Sequence, residues 1–270
     1  MKVLSKIYLA IVLMFLYIPI FVLIVFSFNT TKSRTVMSGF TFEWYEKLFR
    51  NDIIMSSLMN TIIIAVLASI AATILGTAAA IGINSMKKLP RAVVLNVTNF
   101  PIINPEIVTG VSLMLLFVFF AARMNVEFGF ATLLIAHITF DVPYVILNVM
   151  PKFRQMDPFL YEAAQDLGCS PVKAFFKVVL PEIMPGVVSG FLMSFTFSLD
   201  DFIISYFTSG SSTQTLPVTI YSMTRRKVSP EINALSTIIF LVVVVVLIVK
   251  NIIERRSEAK KGMPIKGEKA

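Results

Sequence analysis

Residues 161–185 read YEAAQDLGCSPVKAFFKVVLPEIMP. Residues that typically begin and end helices lie just before this stretch and within it. Just before it, the Asp-Pro pair at 157–158 gives a helix N-cap followed by proline at the first helical position. Gly168 supplies a left-handed stop. The Ser-Pro pair at 170–171 begins a second helix in the same way, and Pro181 ends or kinks it. The sequence predicts a compact pair of helices here.

Each of these two predicted helices has one apolar side and one charged side. Lys173 and Lys177 lie on the charged side of the second helix. An ordinary structured loop and a DNA-binding helix–turn–helix are the alternatives, but a recognition helix needs polar side chains that reach base edges, and VKAFFKVV has few. The apolar positions recur at helical spacing: Phe159, Leu160, Ala163, Ala164 and Leu167 in the first helix, and Val172, Phe175, Phe176 and Val179 in the second.

The charged insert stands between long apolar runs. Of the 270 residues, 56% are hydrophobic, and runs of about 20 apolar residues are typical of transmembrane helices. A signal peptide is the alternative for the first run, but its length and the apolar residues after Pro19 favour a span. The sequence therefore predicts an all-α polytopic membrane protein with six spans, at about 7–28, 58–83, within 92–122, 130–150, 187–208 and 233–250.

Two of these runs carry further signals. In the second span, small residues recur every four positions at Ala68, Ala72, Gly76 and Ala80, which favours close packing against another helix. The third run is broken by FPIINPE, so we expect a helix to restart at Pro105 after an inner, partly interfacial lead-in.

The distribution of positive charge predicts the orientation. The formal net charge is +8, and with six spans both termini lie on the same side as the 151–186 loop. Sixteen of the 24 lysines and arginines lie on that side, which places both termini in the cytoplasm. The cluster at 225–227 is an exception on the opposite side. The single cysteine, Cys169, leaves no disulfide framework and no cysteine-based metal site.

Four carboxylates lie within the apolar runs, and no lysine or arginine lies there before Lys250. Each such acid costs about 2.5–3.5 kcal/mol on insertion scales. A cationic substrate, water in a cavity or protonation could compensate for this cost, and the pattern favours a negatively lined path for a cation. The four acids are Glu106, Asp141, Asp200 and Asp201.

Structural roles for these acids remain open. Glu106 could act as a helix cap, and Asp141 could bond groups freed at a kink at Pro143. Asp200 and Asp201, as neighbours on one helix, would point about 100° apart, so one could face the path while the other braces a neighbouring helix.

Three further polar or aromatic residues have structural alternatives as well. Ser198 could bond the helix backbone, and Trp44 could anchor at the membrane interface, although aromatic rings also bind amines. His137 is expected to be a packed, hydrogen-bonded residue, and we assign no metal site.

The charged insert resembles the EAA loop of ABC-importer permeases. The pattern is EAA, three residues, Gly, nine residues, Ile, one residue and Leu-Pro, and Val178 replaces the isoleucine. In that family the loop is the coupling helix that seats on a separate ATPase subunit. The resemblance implies that Glu162 offers a charge to this partner, that Ala163 permits close approach and that Gly168 makes the turn. The matching residues are Glu162, Ala163, Ala164, Gly168, Leu180 and Pro181.

Three other stretches are similar to the polyamine branch of these permeases, in particular to the second permease subunit of spermidine/putrescine importers. They are NPEIVTGVSLM, SFTFSLDDFIISYFTSG and LPVTIYSMTRRKVSPEINALSTI. The resemblance implies that Glu106, Asp200 and Asp201 meet the amine groups, with Ser198 and Trp44 as lesser candidates. Glu106 stands where a shorter Asp is usual, and Asp141 is an extra acid.

The resemblance also implies a type I permease fold and a set of partners: a similar but distinct permease subunit, two copies of an ATPase, and an extracytoplasmic polyamine-binding protein. The chain has no GxxxxGK[ST] phosphate loop, so we expect no cofactor in it and expect ATP and Mg²⁺ to be bound by the ATPase. The chain would then be a transport subunit of the bacterial inner membrane and not an enzyme.

We expect a permease domain over residues 1–250 and a basic cytoplasmic tail over 251–270. Permeases of the same architecture for ferric iron, or for sugars or anions, are the alternatives. A channel or secondary carrier would transport without any ATPase.

Overall fold

The computed structural model describes residues 2–31, 36–124, 127–211, 213–226, 230–241 and 244. Within these ranges β structure is limited to one isolated bridge between Asn29 and Phe40, so the predicted all-α class is confirmed. The helices are α1 (Lys2–Ser27), α2 (Glu43–Phe49), α3 (Asp52–Asn84), α4 (Lys88–Ile103), α5 (Glu106–Met124), α6 (Phe130–Gln155), α7 (Leu160–Asp166), α8 (Pro171–Ala174) with a π-helical turn (Phe175–Val179), α9 (Leu180–Asp200), α10 (Ile203–Thr208), α11 (Leu216–Arg226) and α12 (Pro230–Leu241).

Among the described residues, five helical stretches are long and apolar enough to cross a membrane, and they correspond to five of the six predicted spans. They are Leu4–Ser27, Asp52–Asn84, Glu106–Arg123, Phe130–Gln155 and Pro171–Asp200. The sixth predicted span begins within α12. Most of its later residues, and the predicted basic tail over 251–270, lie outside the described residues.

The chain divides into two compact units, which are described separately. One comprises Met1–Asp52 with Ser222–Ala270, and the other comprises Ile53–Tyr221. In the first unit an amide of Asn51 donates to the carboxylate of Glu231 at 3.2 Å, joining two segments that are distant in sequence.

In the second unit, α6 packs against both α3 and α9 through glycines. A Cβ atom at Gly76 would lie 2.7 Å from Cβ of Val145, and one at Gly190 would lie 3.1 Å from Cα of Val145. Neither helix could approach α6 this closely with a larger residue. The predicted packing stripe of α3 is confirmed, because all four of its small residues are buried: Ala68, Ala72, Gly76 and Ala80.

The predicted break in the third apolar run is confirmed. Helix α4 ends at Ile103, Asn104 adopts an extended conformation, and Val108 N–H donates to Pro105 O at 2.9 Å as α5 begins. The lead-in is itself a 16-residue helix without a buried residue.

The prediction of one continuous span over 187–208 is wrong. Helix α9 ends at Asp200, Asp201 has extended backbone angles (φ −60°, ψ 126°), and the short α10 begins at Ile203. Asp201 and its neighbour therefore do not share a helix, and the predicted 100° separation of Asp200 and Asp201 does not apply.

Pro181 does not end the second helix of the insert. The chain continues as one helical stretch from Pro171 to Asp200. A π-helical turn over Phe175–Val179 precedes the proline, and Leu180 N–H donates to Phe175 O across it. Such turns re-route backbone hydrogen bonds where an ordinary helix cannot be maintained, and proline supplies no N–H donor.

Candidate functional site

A cavity of about 340 Å³ lies in the second unit beside the break between α9 and α10. None of its lining residues is basic, and three of the four predicted membrane acids line it. The lining residues are Glu106, Phe140, Phe197, Asp200, Asp201, Phe202 and Ile203. The cavity therefore combines carboxylates with aromatic faces, two kinds of group that attract ammonium ions.

Three elements bring the acids together. Glu106 opens α5, Asp200 closes α9, and Asp201 occupies the break that follows. Gly110 allows α5 to approach α10, because a Cβ there would lie 3.0 Å from the Phe207 ring and 3.5 Å from Ile203 O. Apart from the glycine itself, no feature of the sequence indicates this role of Gly110.

Asp200 and Asp201 have different environments although they are adjacent. Asp201 is buried, and its carboxylate accepts the backbone N–H groups of Ile204 at 3.1 Å and Ser205 at 2.7 Å. It thereby caps the first turn of α10, a role worth about 0.5–2 kcal/mol. Asp200 is exposed at the cavity and forms no ion pair with a described residue. The carboxylate with freedom to bind a ligand is that of Asp200, joined by the exposed Glu106.

His137 forms a buried polar cluster with residues around the break. Its Nδ1 lies 2.6 Å from Oγ of Ser198, and its Nε2 lies 3.0 Å from Oγ of Ser205 and 3.5 Å from Oδ2 of Asp201. The expectation of a packed, hydrogen-bonded histidine is confirmed. Sequence reasoning did not connect it with the carboxylates, although it is the only histidine in the chain and stands in an apolar helix.

Ser198 is almost fully buried and its hydroxyl is engaged with His137, so it does not line the cavity. The alternative that Ser198 bonds its own helix backbone is replaced by this contact between helices. Its effect on a ligand in the cavity can only be indirect in this arrangement.

Asp141 lies apart from the cavity. It is fully buried, and neither carboxylate oxygen forms a hydrogen bond of good geometry in the described structure, although the Ser194 hydroxyl on α9 lies near it. The alternative in which Asp141 bonds groups freed at Pro143 is therefore not realised. Its role as a residue of the cation path stays a prediction.

Trp44 belongs to the first unit. Its ring is only 4% exposed, and Nε1 donates to Asn29 O at 2.6 Å. The ammonium of Lys47 lies 4.8 Å from the ring centroid, within cation–π distance. The indole face therefore already has a cationic neighbour from its own helix.

The charged insert turns at Gly168 as predicted, but its first helix begins later than predicted, at Leu160 with Phe159 in the N-cap position. Oδ1 of Asp157 accepts the N–H of Phe159 at 2.9 Å, which starts the chain toward α7. Gly168 has φ +86° and no other group within 4 Å of a Cβ placed there, so its requirement is conformational and not steric. Gly168 N–H bonds to Gln165 O and Cys169 N–H to Ala164 O, which closes the end of α7.

The insert exposes a set of large apolar side chains. Two alanines hold it together from within: Ala164 is 7% exposed and Ala174 is fully buried. Glu162, Ala163 and Pro181 are exposed, while Leu180 is half-buried. Exposed apolar side chains beside charged ones are typical of a docking surface. Phe159 is 69% exposed, Leu167 87%, Val172 66% and Phe176 60%.

Comparison with known proteins places this arrangement in a family. Residues 72–261 match the family described as binding-protein-dependent transport system inner membrane component. The chain belongs to this family, and it is a membrane subunit of a multi-component transport system and not an enzyme.

Two relatives cover most of the chain. It is 41% identical over 236 residues to the putrescine transport system permease protein PotI of Escherichia coli strain K12, covering 83% of this chain and 81% of PotI. It is 37% identical over 243 residues to the spermidine/putrescine transport system permease protein PotC of Haemophilus influenzae, covering 90% of this chain and 93% of PotC.

The fold is shared with a solved bacterial ABC transporter involved in the import of the acidic polysaccharide alginate. The TM-score is 0.69 at 14% sequence identity, over 94% of this chain and 95% of the other. The predicted ABC-importer permease fold is thereby confirmed. At this identity the likeness shows the fold alone.

Proposed function

We propose that this chain is a permease subunit of an ATP-driven polyamine importer, with spermidine or putrescine as substrate. The observation that carries the proposal is the cavity beside the break, where Glu106 and Asp200 present carboxylates among aromatic rings and no basic residue contributes to the lining. A polyamine carries several ammonium groups, which such a cavity can bind by charge-assisted hydrogen bonds and cation–π contacts.

The charge of the cavity matters because the fold does not determine the cargo. A protein of the same fold is named for import of an acidic polysaccharide. Function resides in the site and not in the architecture. The names of PotI and PotC support the same substrate class as the cavity does.

The proposed assembly pairs this subunit with a similar permease across a central path, with two ATPase copies in the cytoplasm and a polyamine-binding protein outside. ATP and Mg²⁺ belong to the ATPase. Both termini face the cytoplasm, as the excess of lysines and arginines on that side supports. The exposed apolar side chains of the insert, with Glu162 beside them, supply the docking surface for the ATPase.

In this mechanism, closure of the ATPases on ATP moves the insert. The motion passes into α9 because the helical stretch Pro171–Asp200 runs without interruption from the insert to the cavity. The same stretch ends at Asp200, so displacement of the insert changes which side of the membrane the acids face.

The test is uptake by the whole transporter reconstituted in proteoliposomes with its binding protein. Asp200→Asn should lower polyamine uptake about tenfold or more, since charge-assisted hydrogen bonds are worth about 1.5–3 kcal/mol. Glu46→Gln is the matched control, because Glu46 is an exposed acid whose ion pair in the described structure is with Arg50, the residue that follows α2.

Three results would contradict the proposal. Uptake of a sugar or an anion instead of a polyamine, unchanged by Asp200→Asn, would favour a sugar or anion permease. Uptake of labelled iron that excess ferric ion inhibits and excess spermidine does not would favour a metal importer. Transport by this chain alone, without the ATPase, would favour a channel or secondary carrier.

A further inference from the structure

One imidazole ring contacts both helical segments that flank the break, as well as the break itself. Ser198 lies on α9 before the break, and Ser205 lies on α10 after it. Nδ1 of His137 reaches the first at 2.6 Å, and Nε2 reaches the second at 3.0 Å. Oδ2 of Asp201, in the break, lies 3.5 Å from the same Nε2.

Burial makes these contacts consequential. His137 is 1% exposed, Ser198 2% and Ser205 0%. A buried polar group that loses its partner is costly because no water replaces the lost hydrogen bond. If the end of α9 turned relative to α10, the imidazole would lose its hydrogen bond to at least one of the two serines. The cluster therefore favours a single arrangement of the break.

This arrangement determines where Asp200 points. Asp200 is the last residue of α9, two positions after Ser198 and directly before Asp201. Asp201, on one side, is held by its capping bonds to α10, and Ser198, on the other side, is held by His137. Asp200 is therefore anchored from both directions while its own side chain remains exposed at the cavity.

We infer that His137 is a positioning residue of the transport route. Its contacts hold α9 and α10 against α6 on both sides of the break. Asp200 then meets the substrate, whereas Ser198 and Asp201 act only through their contacts with His137, which hold this arrangement in place. The inference rests on the proposed function for the identity of the substrate, but the positioning itself can be measured without any polyamine.

The first experiment compares the two aspartates in the reconstituted transporter. Both oxygens of the Asp201 carboxylate accept a backbone N–H, and an asparagine amide keeps one of these bonds but carries no charge. Uptake by Asp201→Asn should therefore fall only part of the way to that of Asp201→Ala, which loses both bonds. Asp200→Asn and Asp200→Ala should fall alike, by about tenfold or more, because charge is what both remove. Equal losses for Asp200→Asn and Asp201→Asn would overturn the division of roles.

The second experiment dissects the histidine. An asparagine amide can take the place of Nδ1, and a glutamine amide can take the place of Nε2. His137→Asn keeps the contact with Ser198, so adding Ser198→Ala should lower uptake further. His137→Gln has already lost that contact, so adding Ser198→Ala should change nothing more. Equal effects of Ser198→Ala in both backgrounds would contradict the tie.

The third measurement reports the geometry directly. With Cys169 replaced by serine, Phe202→Cys places a thiol on the cavity wall of the assembled transporter. Its modification rate by a cationic thiol reagent should change several-fold, on the order of one kcal/mol or more of altered access, when His137→Asn is added. Thr139→Val is the matched control, because Thr139 is exposed on α6 and, among the described residues, its hydroxyl donates to Ile135 O of its own helix.

An unchanged modification rate in the His137→Asn variant would overturn the inference. If the rate changes but the original transporter takes up no polyamine, the proposed function fails and the positioning role of His137 stands.

Discussion

The turn at Gly168 offers a perturbation whose energy can be worked out from the structure. Its φ of +86° lies in the left-handed region, and a Cβ added there would meet nothing within 4 Å. A side chain therefore causes no clash, and the only cost is the backbone conformation, about 1–2 kcal/mol for an ordinary L-residue. Asparagine tolerates this conformation better than other residues do.

A cost of about 1–2 kcal/mol lowers the population of the native turn relative to alternatives by a factor of about 5–30. Gly168→Val should therefore reduce the fraction of transporters whose insert is correctly shaped, and Gly168→Asn should reduce it much less. Both substitutions leave the exposed apolar surface of the insert in place. The difference between them isolates the backbone from the loss of any contact.

The assay is ATP hydrolysis stimulated by the loaded binding protein, together with uptake per ATP and co-purification of the ATPase. We expect all three to fall in the order Gly168, Gly168→Asn, Gly168→Val. If the valine and asparagine variants behaved alike, whether both active or both inactive, the turn conformation would not be what the coupling depends on. Normal ATP-dependent uptake by the valine variant would count against a coupling role for the insert.

Three further changes test other parts of the structure. Asp141→Leu should raise the thermal midpoint of the purified complex, because it removes a buried carboxylate that forms no hydrogen bond of good geometry. Leaving such a group unsatisfied costs about 1–3 kcal/mol of stability. A loss of uptake in this variant would instead place Asp141 on the cation path. Gly186→Leu should destabilise the complex by about 1–3 kcal/mol or more in the same thermal assay, because even a Cβ would lie 2.7 Å from Asn148 O; an unchanged midpoint would contradict the packing of α9 on α6. Trp44→Phe should cost about 1 kcal/mol of stability through loss of the 2.6 Å bond to Asn29 O, and an altered ratio of spermidine to putrescine uptake would indicate substrate contact.

The helices and their packing stripe could be predicted because their signals are local and repeated. Apolar runs of about 20 residues form helices in a bilayer, because a helix satisfies its own backbone hydrogen bonds there. The small residues of α3 recur at helical spacing, and the insert carries proline, glycine and capping residues at its turns. Each of these signals is read within a few residues of the feature it specifies.

The break after Asp200 could not be predicted in this way. The stretch SLDDFIIS contains no glycine or proline, and its apolar residues continue the pattern of a span. The helix ends there because the Asp201 carboxylate bonds the N–H groups of the next turn, supported by a histidine about 60 positions earlier in the chain. At Pro181 the local signal allowed either an end or a kink, and only the structure shows that the helix continues after a π-helical turn.

The sequence alone determines three features, because composition and short-range spacing encode them. These are the membrane-spanning class, the paired helices of the insert, and the excess of acids over bases inside the spans. Only the tertiary structure separates Asp200, open to the cavity, from Asp201, which is bound to backbone and lies near His137. Two identical side chains at adjacent positions have the same chemistry in the sequence. Their different roles come from which distant helix each one meets.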